Sequence, residues 1–373
     1  MTQNIGAGRP GVAYQARQLG LAFNAVLGVI MSLFLSLGAG TILSGVGVAD
    51  ALMQPAKTYL QIVGGFCILN ALIPICSSYL RAFGFSKEPL YASIIGNVIN
   101  FCLNAFFLFV LHKGVAGVAT ATVISRIINL VIVVLLGAVL VKAKQHPERE
   151  SNRAVMGQII RIGLPSACET AIYNVSMTLV IRFLNQMDAQ GLNVTARSYT
   201  MQITNFSYCV GAALAQANAI MTGWHIGAKE YDACDRGTKK AAVIGVIVAV
   251  ILETVFTLCS GWIMQLFSKD PQMVSLVGKL LAIDIVLEIG RVTNLVYGQA
   301  LKTSGDAVFP VVMGACFMIL CSVGGTYLFG IRLGLLAVGA YIGMAGDECV
   351  RAVGMYLRWK SGKWKEKGLV KSR

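Results

Sequence analysis

An all-α polytopic membrane bundle, built as two related lobes, is the fold class that three features of the chain predict. Apolar residues make up 56% of the 373 positions and charged residues 13%, with a mean hydropathy of +0.70. A soluble domain carries about 25% charge. The apolar runs are too long for barrel strands, and lipid admits only helices or closed barrels. The third feature is an internal repeat. Leu80-Arg81-x-x-Gly84-x-x-x-x-Pro89 recurs as Leu301-Lys302-x-x-Gly305-x-x-x-x-Pro310, and Ile5-Gly6-Ala7 recurs as Ile226-Gly227-Ala228, at one offset of 221 residues. Gly114-Val115-Ala116-Gly117-Val118 answers Gly334-Leu335-Leu336-Ala337-Val338 with the offset slipped by one. Duplicated helical bundles of this kind are the usual build of secondary transporters.

At about 20–25 residues per span, the elements fall in order at residues 18–43, 53–80, 88–111, 115–141, 157–183, 196–222, 238–267, 275–301, 306–330 and 334–358. Lys or Arg and Gly ahead of Pro (81, 84, 89 and 302, 305, 310) mark the tight turns. The polar stretch 142–153 falls between the repeats and predicts a linker. The expected organisation is a first lobe over 1–141, the linker 142–153, a second lobe of six helices over 154–358, and a basic tail over 359–373. Carried back by the offset, the first lobe should begin about 70 residues before Met1, so it is expected to lack its first helix and most of its second.

The net charge of +14 does not indicate nucleic acid. Sorted by loop, 21 of the 31 Lys and Arg fall on one side, seven on the other (57, 113, 182, 197, 269, 279 and 332), and Arg126, Arg291 and Arg351 lie inside spans. This bias places the tail and the 142–153 loop in the cytoplasm, with the tail beside anionic lipid. No signal peptide follows Met1. Ten scattered cysteines read as small core residues, and His112, His146 and His225 form no metal set. Gly6-Ala7-Gly8-Arg9-Pro10-Gly11 fits a dinucleotide fingerprint but lacks the strand, helix and acidic residue that chemistry needs. The sequons at Asn174, Asn193 and Asn205 read as chance matches. No nucleophile–base pair or phosphate loop supports an enzyme, and no cofactor is expected beyond a coupling ion.

Ionisable residues inside a membrane are functional candidates. Glu169 lies near the middle of its span, four residues after Pro165. Asp284, Glu288 and Arg291 share one face of a span, and Asp347, Glu348 and Arg351 repeat the arrangement in the last one. Five carboxylates and two arginines give an expected charge of −3 in the second lobe, suited to a cation or to exchangeable protons. At the repeat offset Asp284, Glu288 and Arg291 meet Val63, Cys67 and Asn70, so the first lobe has amides instead, including Asn97, Asn100 and Asn104. Glu288–Arg291 and an Asp347 or Glu348 pair with Arg351 could equally be mutually neutralising ion pairs, whereas Glu169 and Asp284 have no local partner. Glu253 reads as a snorkelling or packing residue. Tyr173, Tyr199, Gln202, Phe206 and Tyr208 offer a polar–aromatic surface for an organic cation.

The chain resembles the multidrug and toxic compound extrusion (MATE) family, in a bacterial branch. The resemblance is carried by Gln3-Asn4-Ile5-Gly6-Ala7-Gly8, Leu80-Arg81-Ala82-Phe83-Gly84 with Pro89, Gly96-Asn97-Val98-Ile99-Asn100, Gly114-Val115-Ala116-Gly117-Val118-Ala119-Thr120 and Gly163-Leu164-Pro165-Ser166. Asp347-Glu348-x-x-Arg351 and the segment from Arg358 to Trp364 add to it. It implies a twelve-helix, two-lobe antiporter of the cytoplasmic membrane, about ten helices of which lie in this chain. It also implies a monomer that expels cationic amphipathic compounds in exchange for Na⁺ or H⁺. A lipid-linked saccharide flippase of the same superfamily, or a truncated remnant that does not transport, are the alternatives.

Overall fold

Helix is the only regular structure among the described residues, 1–46, 48–142, 146–187 and 191–369, of the computed structural model. The elements are α1 (Thr2–Gly6), α2 (Pro10–Leu37), α3 (Ala39–Val46), α4 (Asp50–Tyr59), α5 (Ile68–Ala82), α6 (Lys87–Ala105), α7 (Gly114–Leu140), α8 (Asn152–Met187), α9 (Leu192–Gly227), α10 (Tyr231–Leu258), α11 (Ser260–Met264), α12 (Pro271–Ser304), α13 (Val308–Phe317) and α14 (Leu336–Lys360). Wider π-type turns at Leu60–Gly64, Phe106–Val110, Met318–Val323 and Thr326–Arg332 continue or join these helices. All ten expected spans fall on helix. Five stretches are apolar enough to cross a membrane on composition alone, and Asp50–Gly64 with Ile68–Ala82, bent by 42°, makes a sixth. The others fall short for a physical reason: α8, α9, α12 and α14 carry the charged and amide side chains.

The repeat is visible in the turns. Gly84 and Gly305 both end a helix in the left-handed region (φ 89° and 100°), where an L side chain would be strained. In each turn the residue after the glycine donates back to the leucine five positions earlier, Phe85 to Leu80 at 3.1 Å and Asp306 to Leu301 at 2.9 Å. The turn after Ile5 and that after Ile226 also match. Arg9 N–H donates to Asn4 and Glu230 N–H to His225, both at 2.8 Å.

Two compact units divide the chain at 159/160. In the first, α2 packs on α5 and α6 on α7. Ser32 on α2 accepts from the Ile68 N–H at 3.1 Å, satisfying a donor freed where the α4–α5 span breaks. The unit extends past the expected linker because Arg9 pairs with Glu150, and the Gln15 amide donates to Asn152 at 2.6 Å and to the Glu150 carbonyl at 2.7 Å. Residues 143–145 of that linker lie outside the described residues, as do 370–373 of the expected tail.

In the second unit α12 is the central helix, packed against α9, α10 and α14. At 34 residues it is about 51 Å long, and its buried positions feed two cores. One gathers Leu280, Leu281 and Leu287 with Val180, Leu184, Ile203 and Tyr341. The other gathers Val292, Val296 and Tyr297 with Ala215, Ala242, Ala249, Trp359 and Trp364. Small residues let the helices close in: a Cβ on Gly290 would lie 2.7 Å from the Cys349 backbone nitrogen on α14. Ile247, Ile251, Val255 and Leu258 form the opposite, exposed face of α10, as a lipid-facing surface requires.

The basic segment after α14 is folded onto this unit rather than trailing from it. Lys363–Lys367 forms a 3-10 turn, and the Trp364 ring stacks on Trp359 at 4.1 Å. Asp306, buried, accepts from Arg358 and from Lys367, both at 2.7 Å. The Trp359 indole donates to Asp235 at 2.9 Å.

Candidate functional site

The side chains that sequence spacing singled out converge on a cavity of about 550 Å³ inside the second unit. It is walled by α8, α9, α12, α13, the Met318–Val323 turn and α14. α12 contributes Asp284 and Arg291 at an i,i+7 spacing, one face of the helix. α14 contributes Asp347, Glu348 and Arg351, and α8 contributes Glu169 and Tyr173. α9 lines it through Arg197, Met201, Thr204, Asn205 and Tyr208, again one stripe.

That periodicity corrects the proposed aromatic surface. Tyr199 lies nine residues before Tyr208, about half a turn away in projection at 3.6 residues per turn, and packs against Phe267. Gln202 and Phe206 are exposed and are not in the wall. Only Tyr173 and Tyr208 of that set line the cavity. Asn97 and Asn100 belong to the first unit, where Asn97 is exposed. The Asn100 amide donates to the Ser125 hydroxyl at 3.3 Å and accepts from Asn104 at 3.1 Å. Of the three sequon asparagines, Asn174 and Asn205 line the cavity, while Asn193 is buried and accepts from the Ala337 N–H at 3.1 Å near the start of α14.

Both ion-pair arrangements exist, and they interlock. Arg351 donates to Asp347 through two nitrogens at 2.9 and 3.0 Å and reaches Glu348 at 2.8 Å. The Ser322 hydroxyl donates to Asp347 at 2.9 Å, and Asn294 donates to Glu348 at 3.0 Å. Arg291 pairs with Glu288 on its own helix, lies 3.9 Å from Glu348 across the helix gap, and sits over the Tyr208 ring. Among the described residues Glu169 has no partner on its own helix, in keeping with the sequence, but it has one across the cavity: Lys302 Nζ lies 2.5 Å from its Oε2, at an angle too poor for a hydrogen bond. Lys302 is in the last helical turn of α12 and points into the cavity, not into a loop.

The expected charge of the cavity changes accordingly. Its wall holds the carboxylates Glu169, Asp284, Asp347 and Glu348 against the cations Arg197, Arg291, Lys302 and Arg351, a formal balance of zero. Loop sorting had placed Arg197 outside the membrane, yet it is buried, with the Met177 sulfur 3.8 Å from its guanidinium. The negative excess lies behind the wall. Glu253 on α10, read from sequence as a packing residue, is fully buried beside Asp284 and Glu288, and ligand oxygens of the three lie within 4.8 Å of one another. The signal for it was present in α10: Ala242, Gly245, Ala249 and Glu253 repeat at three- and four-residue spacings, so the glutamate continues the small-residue face that packs inward.

A polytopic helical bundle with a charged cavity enclosed by six helical stretches defines a membrane transporter. The family profile described as MatE matches residues 1–106 and 165–328, and the chain belongs to the MATE family. It is 32% identical over 376 residues to the "Uncharacterized transporter YisQ" of Bacillus subtilis (strain 168), covering 99% of this chain and 82% of that protein. It is 22% identical over 362 residues to the "Probable multidrug resistance protein NorM" of Thermotoga maritima, covering 91% and 76%. Among solved structures, an outward-facing conformation of a multidrug resistance MATE family transporter superposes with a TM-score of 0.87 at 18% identity, over 98% of this chain and 82% of that one.

Proposed function

We propose that this chain is an antiporter that exports organic cations across the cytoplasmic membrane, its C-terminus inside, in exchange for Na⁺ or H⁺. The observation that carries the reading is Asp284: it stands in the wall of a charged cavity with Oδ2 buried and without a hydrogen-bond partner. A buried carboxylate left in that state is costly unless a cation or a proton joins it. Neutralising it by the coupling ion would favour one conformation, and an organic cation bound at Glu169 in competition with Lys302 would favour the other. Exchange follows if each ligand binds the two conformations with different affinity. Tyr173 and Tyr208 supply ring faces for the apolar part of such a substrate.

The test is ethidium efflux from cells lacking their own pumps, with the chain expressed at matched levels. Asp284→Asn combined with Glu169→Gln should cut the efflux rate at least tenfold, and undiminished efflux would refute the reading. A lipid-linked saccharide flippase has one observation in its favour, the buried Arg197, which no carboxylate engages among the described residues. The other three cations of the wall are already held by carboxylates, which leaves little for a pyrophosphate. Loss of ethidium efflux on Arg197→Gln, with no effect on lipid-linked sugar translocation, separates the two.

A further inference from the structure

We infer that residues 359–369 are a strap across the cytoplasmic end of the cavity, and that a compound enters from the cytoplasm when the strap lifts. The cytoplasmic position of this end, and use of the cavity by substrate, rest on the antiport reading. Three layers of side chains lie here. Lys302, Pro310 and Met355 line the end of the cavity nearest the turn between α12 and α13. About one helical turn further out, Asp306 holds Arg358, whose guanidinium also lies over the Phe309 ring. The strap is the outermost layer. Trp364 stacks on Trp359, meets the Tyr231 ring edge-on with centroids 5.9 Å apart, and donates to the Trp359 carbonyl at 2.9 Å. Lys367 reaches Asp306, and Gly368 lies beside Ile226. A few residues thus tie the end of α14 to the end of α9, the start of α10 and the turn after α12.

The turn beneath the strap folds without it, as the repeat shows. Gly84 and Phe85 make the same turn in the first unit, where nothing among the described residues lies within 4 Å of a Cβ built on Gly84. A Cβ on Gly305 would instead collide with the Lys367 carbonyl. At the repeat offset Asp306 answers to Phe85, so the carboxylate is an addition to the turn and not a requirement of it. Burying a carboxylate is costly unless it is paired, and the partners of Asp306 are Arg358 and the Lys367 of the strap. The outer face of the strap is exposed at Lys363, Lys365 and Glu366. A segment held by one ion pair and one ring stack, and otherwise facing solvent, can open locally while the unit stays folded.

The strap also bears on the cavity's charges. The Gly305 N–H donates to the Lys302 carbonyl at 3.1 Å, so the turn that the strap presses on is the one that ends α12 at Lys302. The ammonium of that lysine engages Glu169. On α14, Arg358 follows Arg351 by seven residues on one face, so a single helix carries a cation of the cavity and a cation of the latch. Lifting the strap frees the ends of α12 and α14 together, at the place where an incoming cation would take Glu169 from Lys302.

The experiment labels the cavity from its cytoplasmic side. Leu295 lines it two turns before Lys302 on α12. The full chain carrying Leu295→Cys is held in inverted membrane vesicles, a membrane-impermeant maleimide is added outside, and modification at residue 295 is read by peptide mass. Trp364→Ala should speed modification at least tenfold and Lys367→Gln several-fold, since both loosen the strap without touching the cavity wall. Should Trp364→Ala not reach the membrane, Lys367→Gln decides. Locking gives the converse. A Cβ on Gly368 would lie 3.8 Å from Ile226 Cγ2, within disulfide reach. Oxidised Ile226→Cys with Gly368→Cys should therefore slow modification at least tenfold, and reduction should restore it. The strap is refuted by rates within twofold of the parent in the release variants, or by an oxidised pair that labels like the reduced one. Labelling needs no transport. Labelling that follows the strap without ethidium efflux would uphold the strap and sink the antiport reading; efflux with labelling indifferent to the strap would do the reverse.

Discussion

Replacing Asp306 by asparagine should release the segment that follows α14. The Asp306 side chain is 0% exposed and holds two cations from that end of the chain, Arg358 and Lys367. A hydrogen bond to a charged group is worth about 1.5–3 kcal/mol. The Arg358 pair is largely shielded and keeps about 1.5–2 kcal/mol of that. Lys367 is 36% exposed, so solvent screening leaves its pair about 0.5–1 kcal/mol. Together they amount to about 2–3 kcal/mol, or about 30- to 150-fold in the docking equilibrium. Trypsin reads this directly, since Lys363 and Lys365 lie in the turn that docks and are cut only when it opens. Cleavage in the variant should be faster by that factor, with unstacking of Trp359 and Trp364 seen in fluorescence. Cleavage within twofold of wild type would refute the ledger.

The same pair sets a pH dependence. Burial alone would raise the Asp306 pKa, but the hydrogen bonds and charges of Arg358 and Lys367 outweigh it and hold the carboxyl below its ordinary value. With the folded value the lower one, the contribution is complete above the unfolded pKa of about 3.9 and fades as pH falls through the folded value. Trypsin sites protected from pH 5 to 8 should therefore open only in acid, as probed with an acid-active protease.

Gly290→Ala should destabilise the second unit by about 1–3 kcal/mol, because its Cβ would meet α14 backbone atoms that cannot rotate away; an unchanged melting temperature in detergent would contradict this. Asn193→Ala removes the acceptor of the Ala337 N–H and should cost about 1–2 kcal/mol by the same measurement. Lys302→Met leaves Glu169 in the cavity without its cation and should impair ethidium efflux less than Lys302→Met with Glu169→Gln, which also removes the carboxylate proposed to hold the substrate. Additive losses would show that the pair is not coupled.

What could be read in the sequence was whatever depends on neighbours along one helix. Span positions followed from apolar length, and the turns at Gly84 and Gly305 followed from a repeated Gly-to-Pro spacing. The clusters on α12 and α14 followed from i,i+3 and i,i+4 geometry, which brings Glu288 to Arg291 and Asp347 to Arg351 whatever surrounds them. Interhelical neighbours were not legible. Lys302 looked like turn chemistry because its turn recurs at Arg81, and nothing local told that its side chain reaches across to Glu169 on α8. Arg197 looked like a loop cation because it lies near a span end, whereas α9 begins at Leu192 and carries it inward as the first member of the cavity stripe.

This difference decides how the charge works. Summed along the sequence, the second lobe presented a single negative field. In three dimensions it separates into a balanced cavity and a negative cluster behind it, joined through Asp284 and through the Arg291 shared by Glu288 and Glu348. A balanced wall can give up one carboxylate to an organic cation, and its own lysine or arginine can take that carboxylate back when the substrate leaves. An unbalanced buried cluster has no such internal exchange, because its carboxylates have no second cation to take them back and their charge is costly away from water. Exchange needs that asymmetry, because two sites that treated both ligands alike would shift no equilibrium between conformations.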